Sequence, residues 1–253
     1  MREYPRYVPA GDEGISIEHG NEISPEVATA VRRSMLALQR VAPAWLVEVV
    51  PSYRSLLVVY DPEKAQAGTV LRDLQAIEAA AGKSEFPAQT VLRIPVCYGG
   101  EYGPDLGDVS SHTGLSPEEV IALHSSPAYL VYMIGFTIGF PYLGGMSPRL
   151  ATPRLASPRT RIPAGSVGIA GQQTGIYSVD SPGGWRLIGR TPLKLADPTT
   201  DPPCLLAAGD YVRFVPVGPE EYLDILEQVE AGRYSPVRET VGMEGATAVG
   251  SGS

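Results

Sequence analysis

Three histidines and two cysteines are scattered through the 253 residues with no paired Cys/His spacing, which argues against a structural zinc site. The thiols, Cys97 and Cys204, are also too few for a disulfide framework. Each lies in an apolar, strand-like run, the setting of a buried free thiol in a reducing cytoplasm. No window approaches the roughly 18 uninterrupted apolar residues of a membrane-spanning helix. The opening Met1-Arg2-Glu3-Tyr4-Pro5-Arg6-Tyr7 lacks the apolar core of a secretory signal, so a cytoplasmic protein is expected. Positive charge is in deficit as well. Twenty Lys and Arg against 28 Asp and Glu leave a net charge of −8, which argues against nonspecific nucleic-acid binding.

What is present describes a globular protein with a real core. Hydrophobic residues make up 43% of the chain and charged residues 19%, enough for one large domain or two smaller ones. The charge is uneven. Arg149, Arg154, Arg159, Arg161, Arg186, Arg190 and Lys194 face only Asp180 within their span, seven cations against one anion. Such a run suits a small carboxylate or phosphate, or an acidic partner surface.

The first hundred residues alternate strand and helix patterns. Gly14 to His19 reads as a strand, and Ser24-Pro25-Glu26 opens a helix with Val27, Val31, Met35 and Leu38 on one face. Trp45–Val50 and Ser55–Tyr60 form a hairpin, and a second helix carries Val70, Leu74, Ile77 and Ala81, with Gly82 as its stop. Thr90–Tyr98 is the next strand. The order βαββαβ is that of a ferredoxin-like α+β domain, placed over residues 1–90. After Gly99-Gly100 the chain turns to short strands rich in Gly and Pro, with one obvious helix opened by the capping box Ser116-Pro117-Glu118-Glu119. Brief strands near 129–136, 167–170, 175–179, 185–189 and 211–216 predict a mainly-β barrel or sandwich over 91–232, closed by a helix from Glu220 to Gly232. Residues 233–253 read as a flexible tail.

Several stretches carry chemistry. Ile134-Gly135-Phe136-Thr137-Ile138-Gly139-Phe140-Pro141-Tyr142-Leu143-Gly144-Gly145 holds two of the four phenylalanines on a backbone shaped by glycines. It is either a ligand-facing loop or a barrel corner whose aromatics fill the core. Gly171-Gln172-Gln173-Thr174-Gly175 places two amides and a hydroxyl between glycines, a pattern that suits a neutral amide or lactam, or a plain polar turn. Ser181-Pro182-Gly183-Gly184-Trp185-Arg186-Leu187-Ile188-Gly189-Arg190 joins a rigid turn, an aromatic and two arginines. Trp185 is core or platform, and Arg190 is the preferred anion contact. His124, at a helix end, is a packed structural residue or a general base. Ala81-Gly82-Lys83-Ser84 resembles the end of a P-loop, but Ile77 stands where the first glycine belongs and the segment ends a helix, so it is rejected.

Long motifs occur in a recognisable order: Pro95-Val96-Cys97-Tyr98-Gly99-Gly100-Glu101-Tyr102-Gly103-Pro104-Asp105-Leu106, then Gly135-Phe136-Thr137 to Tyr142-Leu143, then Pro163-Ala164-Gly165-Ser166-Val167-Gly168-Ile169-Ala170-Gly171, then Ser181-Pro182-Gly183-Gly184-Trp185, Ile188-Gly189-Arg190-Thr191-Pro192 and Gly209-Asp210-Tyr211-Val212-Arg213-Phe214. From Gly14 to about Gln228 the chain resembles the B subunits of prokaryotic 5-oxoprolinase, a family that includes the KipI proteins and is often labelled allophanate hydrolase subunit 1. The resemblance implies a small α+β domain followed by a cyclophilin-like barrel. It implies ATP as a co-substrate bound at a complex interface, with Mg as a candidate companion ion. It also implies a cyclophilin-like C-type subunit of the allophanate hydrolase subunit 2 family and an A subunit of the LamB/YcsF type as partners. The implied reaction is opening of the 5-oxoproline lactam to glutamate. KipI members instead inhibit a histidine kinase. Amide hydrolysis of the amidase type needs a Ser-Ser-Lys arrangement that this chain lacks. On this reading His124, Arg190 and Gln173 are the expected catalytic residues. Phe136, Phe140, Tyr142, Gln172, Thr174, Arg154 and Trp185 are the expected substrate groove. Two positions depart from the family's usual pattern: Ile138 stands in place of Pro, and Ala196 in place of Phe.

Overall fold

Tyr7 and Val8 favour extended backbone, and Gly11 can turn the chain with φ of 74°, so the structure begins with a hairpin. In the computed structural model, which describes residues 4–81 and 89–241, the chain divides into two compact units, Met1–Pro87 and Ala88–Ser253. In the first unit β1 (Arg6–Pro9) pairs with β2 (Gly14–Glu18). The helix α1 (Pro25–Val41) follows, with the Ser24 hydroxyl accepting from the Val27 amide at 3.3 Å. Then come β3 (Leu46–Pro51), β4 (Ser55–Tyr60) and α2 (Ala67–Ala81). The sheet order is β1-β2-β4-β3, all antiparallel. Ile15, Ile17, Leu56, Val58 and Tyr60 project from one face onto Val31, Met35 and Leu38 of α1 and Val70 and Leu74 of α2.

This corrects the βαββαβ expectation. The fourth strand of the sheet is Arg6–Pro9, not Thr90–Tyr98, and the order among the described residues is ββαββα. Two prolines bracket that short strand and conceal its pattern, whereas the longer 89–98 run finds partners in the second unit. The expected stop at Gly82, and Lys83 and Ser84 of the rejected phosphate motif, lie outside the described residues.

The second unit contains, in order, β5 (Gln89–Tyr98), α3 (Leu106–Thr113), α4 (Pro117–Ser125), β6 (Tyr129–Ile134), β7 (Pro141–Gly144), a 3-10 turn at Pro148–Leu150, β8 (Arg159–Ile162), β9 (Ser166–Ala170), β10 (Gln173–Ile176), β11 (Ser181–Gly183), β12 (Arg186–Arg190), β13 (Tyr211–Val217), α5 (Pro219–Glu230) and β14 (Arg238–Val241). Seven strands close into a mixed barrel in the order β12-β9-β10-β7-β6-β13-β5, with β5 returning to β12 through Gly189 opposite Tyr98. Among the described residues only the β5–β13 pair in it is parallel. At 10 residues β5 is long enough to hold β13 along one edge, and β14 and then β12 along the other. The core carries Leu92, Ile94, Val96, Val131, Val167, Ile169, Ile188 and Phe214. β8 and β11 form a separate two-stranded ribbon, under which Phe140, Ile162, Ala170, Tyr177, Trp185 and Leu187 build a second, aromatic cluster.

The predicted capping box is present in both halves: Ser116 Oγ accepts from the Glu119 amide, and the Glu119 carboxylate accepts from the Ser116 amide. The helix α3 has no clear signal in the sequence because Gly107, Asp108, Ser110 and Ser111 are poor helix formers; Leu106 and Val109, buried by packing, hold it. The tail expectation from 233 is also corrected. Tyr234 packs on the core, the Arg93 amide donates to Val237, and Arg238–Val241 adds a strand to β5. Residues 242–253 lie outside the described ones.

Candidate functional site

The second unit opens to solvent at two places: a cavity of about 370 Å³ between Leu193–Leu205 and Tyr234–Arg238, which gathers none of the expected site residues, and one beside the aromatic cluster, which does. The loop joining β6 to β7 holds Phe136 at φ 67°, a left-handed conformation that costs a bulky residue roughly 1–2 kcal/mol. Local bonds fix it there. The Thr137 amide donates to Gly135, the Phe140 amide to Thr137, and the Ser178 hydroxyl to the Ile138 carbonyl. Gly139 has φ 72° and lies so close to Ala196 and Leu195 that a Cβ would meet them at 2.7 and 3.0 Å. Phe136 then stands edge-on to Phe140 at 5.6 Å, and Phe140 stands edge-on to both Tyr177 and Trp185.

These rings bound a cavity of about 350 Å³ lined by Phe136, Phe140, Tyr142, Arg154, Pro158, Tyr177, Pro182, Gly183, Gly184 and Trp185. Five of the expected groove residues, Phe136, Phe140, Tyr142, Arg154 and Trp185, therefore meet in one place. Arg154 sets its guanidinium 5.9 Å from the Trp185 ring centre, a cation–π contact that holds positive charge over an apolar floor. Burial pushes the Tyr177 hydroxyl's pKa up, so it stays protonated. Gly183 makes room for it, since a Cβ there would lie 2.2 Å from the Tyr177 oxygen. Among the described residues, no carboxylate and no histidine lines the cavity. A guanidinium over aromatic walls can hold a flat anion by charge and stacking.

The other expected site residues lie elsewhere. His124 is 0% exposed, stacked on Phe214 with ring centres 4.5 Å apart. Its Nδ1 is 2.8 Å from Tyr98 Oη and its Nε2 2.8 Å from Thr174 Oγ1. Because the Thr174 hydroxyl donates to the Gly168 carbonyl, Nε2 carries the proton and Nδ1 accepts from Tyr98. Burial lowers the pKa of this imidazole to about 3. In this position it is a satisfied core residue and not an accessible base, and Thr174, 0% exposed, is its partner rather than a groove wall. Arg190 sits at the other end of β12 from Trp185, about 16 Å along the strand, beside Tyr102 and Tyr222. Gln172 is in the β9–β10 turn and Gln173 begins β10; neither lines the cavity.

The cationic run is quieter in the fold than in the sequence. Arg159 makes a bidentate pair with buried Asp105, at 2.9 and 2.7 Å, and the same carboxylate accepts from the Leu187 amide at 2.7 Å. Arg161 pairs with Asp180 and Arg186 with Asp108. The clamp from Asp105 to Arg159 fixes β8, hence Pro158, against the strand that follows Trp185. The sequence marks Asp105 only as an acid at a glycine-rich turn. The Gly183-Gly184 wall belongs to the rigid turn that the sequence marks before Trp185, whereas Tyr177 and Pro158 are not among the expected groove residues.

The chain also matches known proteins. Residues 5–206 match the family model described as "Carboxyltransferase domain, subdomain C and D". The chain is 45% identical over 222 residues to the 5-oxoprolinase B-type subunit of Bacillus subtilis (strain 168), covering 84% of this chain and 92% of that one. Among solved structures, TTHA0988 superposes with a TM-score of 0.73 at 42% identity, covering 81% of this chain, which spans 40% of the TTHA0988 chain. The K. lactis urea amidolyase superposes with a TM-score of 0.72 at 25% identity, over 93% of this chain and 16% of that one. With a family model across most of its length and a curated relative at this identity, the chain belongs to the family of carboxyltransferase subdomains C and D that includes the 5-oxoprolinase B-type subunits.

Proposed function

We propose that this chain is the B-type subunit of a heteromeric, ATP-dependent 5-oxoprolinase and that the Arg154–Trp185 cavity receives the lactam. The observation that carries the reading is the 45% identity to a 5-oxoprolinase B-type subunit over 222 residues. The cavity supports it. 5-Oxoproline is a flat five-membered ring with one carboxylate, which suits aromatic walls and a single arginine at the mouth. In the net reaction one water adds across the lactam C–N bond to give glutamate, while a second water takes up the γ-phosphoryl group of ATP, releasing ADP and phosphate. This chain's part is to orient the ring and hold its carboxylate.

A base and the nucleotide belong on a shared surface with a C-type subunit, with the A subunit completing the assembly. Among the described residues the cavity lining holds no carboxylate to ligate the metal ion that accompanies a triphosphate. Among the described residues no group of three His, Cys, Asp or Glu side chains is arranged to hold a metal ion. The lack of a base in the cavity also favours a second reading, a KipI-like binding protein without chemistry. Co-purification with C-type and A-type subunits, followed by assay of ADP and glutamate with and without 5-oxoproline, separates the two. Lactam-dependent release of both products is expected. An intact three-subunit mixture that turns over nothing sinks the enzyme reading.

A further inference from the structure

Tyr177 carries a hydroxyl that packing alone does not need. The residue follows β10, and its ring stands edge-on to Phe140 and Trp185, with ring centres 5.4 and 6.4 Å away. A bare phenyl ring would make those contacts equally well. The oxygen instead needs space that Gly183 leaves open, since a Cβ there would lie 2.2 Å from Oη and 2.9 Å from the ring carbon that bears it. A backbone N–H bond from Trp185 reaches the oxygen and fixes its place. With that bond accepted, the hydroxyl has its own proton left to donate, and the side chain lines the cavity. Arg154 lines the same cavity and interacts electrostatically with Tyr177, so one small space of about 350 Å³ offers a cation and a neutral donor.

We propose that Tyr177 is the specificity-determining residue of this cavity: its hydroxyl donates to the ring carbonyl oxygen of a lactam whose carboxylate Arg154 holds. The assignment rests on the proposed function for the identity of the ligand. 5-Oxoproline carries its carboxylate on one side of the ring nitrogen and its carbonyl on the other, so a cation and a donor in one aromatic box read both groups. A ring that has a methylene in place of the carbonyl leaves the buried donor unpaired, and the site rejects it on that account. The cavity therefore selects lactam carboxylates over saturated ring acids of the same size and charge.

The test uses the reconstituted three-subunit complex and reads two constants from ADP release. One is the KM for 5-oxoproline. The other is the inhibition constant of cyclopentanecarboxylate, which keeps the five-membered ring and the carboxylate but has no carbonyl. Wild type, Tyr177→Phe and Arg154→Ala are compared after their thermal unfolding has been matched. Tyr177→Phe is expected to raise the KM for 5-oxoproline about tenfold, the loss of one neutral hydrogen bond, with the inhibition constant within about twofold of wild type. Arg154→Ala is expected to weaken both ligands together, because both carry the carboxylate. A Tyr177 that only packs would move both constants or neither. An unchanged KM in Tyr177→Phe, or equal losses for the two ligands, overturns the assignment and leaves the functional reading intact. No turnover of 5-oxoproline by the wild-type complex overturns both.

Discussion

At the scale of single residues, His124 shows how a reactive side chain becomes a structural one. Truncation to Ala would leave Tyr98 and Thr174 without their partner and open a void beside Phe214. The expected cost is about 3 kcal/mol, read as a shift in the urea unfolding midpoint. The imidazole also ties stability to pH. Its folded pKa is about 3 against 6.5 in the unfolded chain, so below about pH 6.5 the unfolded chain takes up a proton that the fold refuses. Stability contributed by the neutral ring is complete above that pH and falls as pH drops, by about 1.4 kcal/mol per unit, until the folded pKa is reached. His19, in the first unit and lowered to about 4 by burial, acts in the same direction. Comparing His124→Asn with wild type between about pH 6.5 and pH 5 should show a shallower slope in the variant; equal slopes would mean the ring is protonated in the fold.

Among secondary elements, the β8–β11 ribbon depends on one carboxylate. Asp105 accepts two bonds from Arg159 and one from the Leu187 amide. Removing it in Asp105→Ala strands a half-buried guanidinium and a buried amide, at an expected cost of about 3–4 kcal/mol. Hydrogen exchange should speed up across residues 159–162 and 181–187 more than across β13. Uniform change would mean that Asp105 supports the whole barrel and not the ribbon. Elements with strong local signals are legible from sequence: the capped helices α1 and α4 and the long strands β4, β5 and β13. Short elements are not. β1, β7, β8 and β11 have three or four residues each, too few for a period to emerge, and they exist through their pairing partners. The strand order expected for the first sheet fails for that reason.

Across the whole molecule, the cavity becomes visible only when the chain closes. Phe136, Phe140 and Trp185 are legible as a group because aromatics clustered in glycine-rich turns are unusual. Arg154, one of seven cations in its stretch, is expected in the groove and lines the cavity. Folding separates them, because Asp105, Asp108 and Asp180 take up Arg159, Arg186 and Arg161. Arg190, favoured by its place between Gly189 and Thr191, ends up beside Tyr222 and away from the cavity. His124 draws notice as a lone histidine near the loop, and sequence carries no measure of burial that would place it in the core.

In the proposed site Arg154, and not Arg190, holds the substrate carboxylate. The direct measurement is lactam-dependent ADP release by the reconstituted complex carrying Arg154→Ala or Arg190→Ala, with both chains matched for thermal unfolding. Loss of a charge-assisted contact of about 2–3 kcal/mol predicts that Arg154→Ala raises the KM for 5-oxoproline by roughly 100-fold, with Arg190→Ala within about twofold of wild type. Full activity in Arg154→Ala together with collapse in Arg190→Ala would contradict it and move the site to the far end of β12.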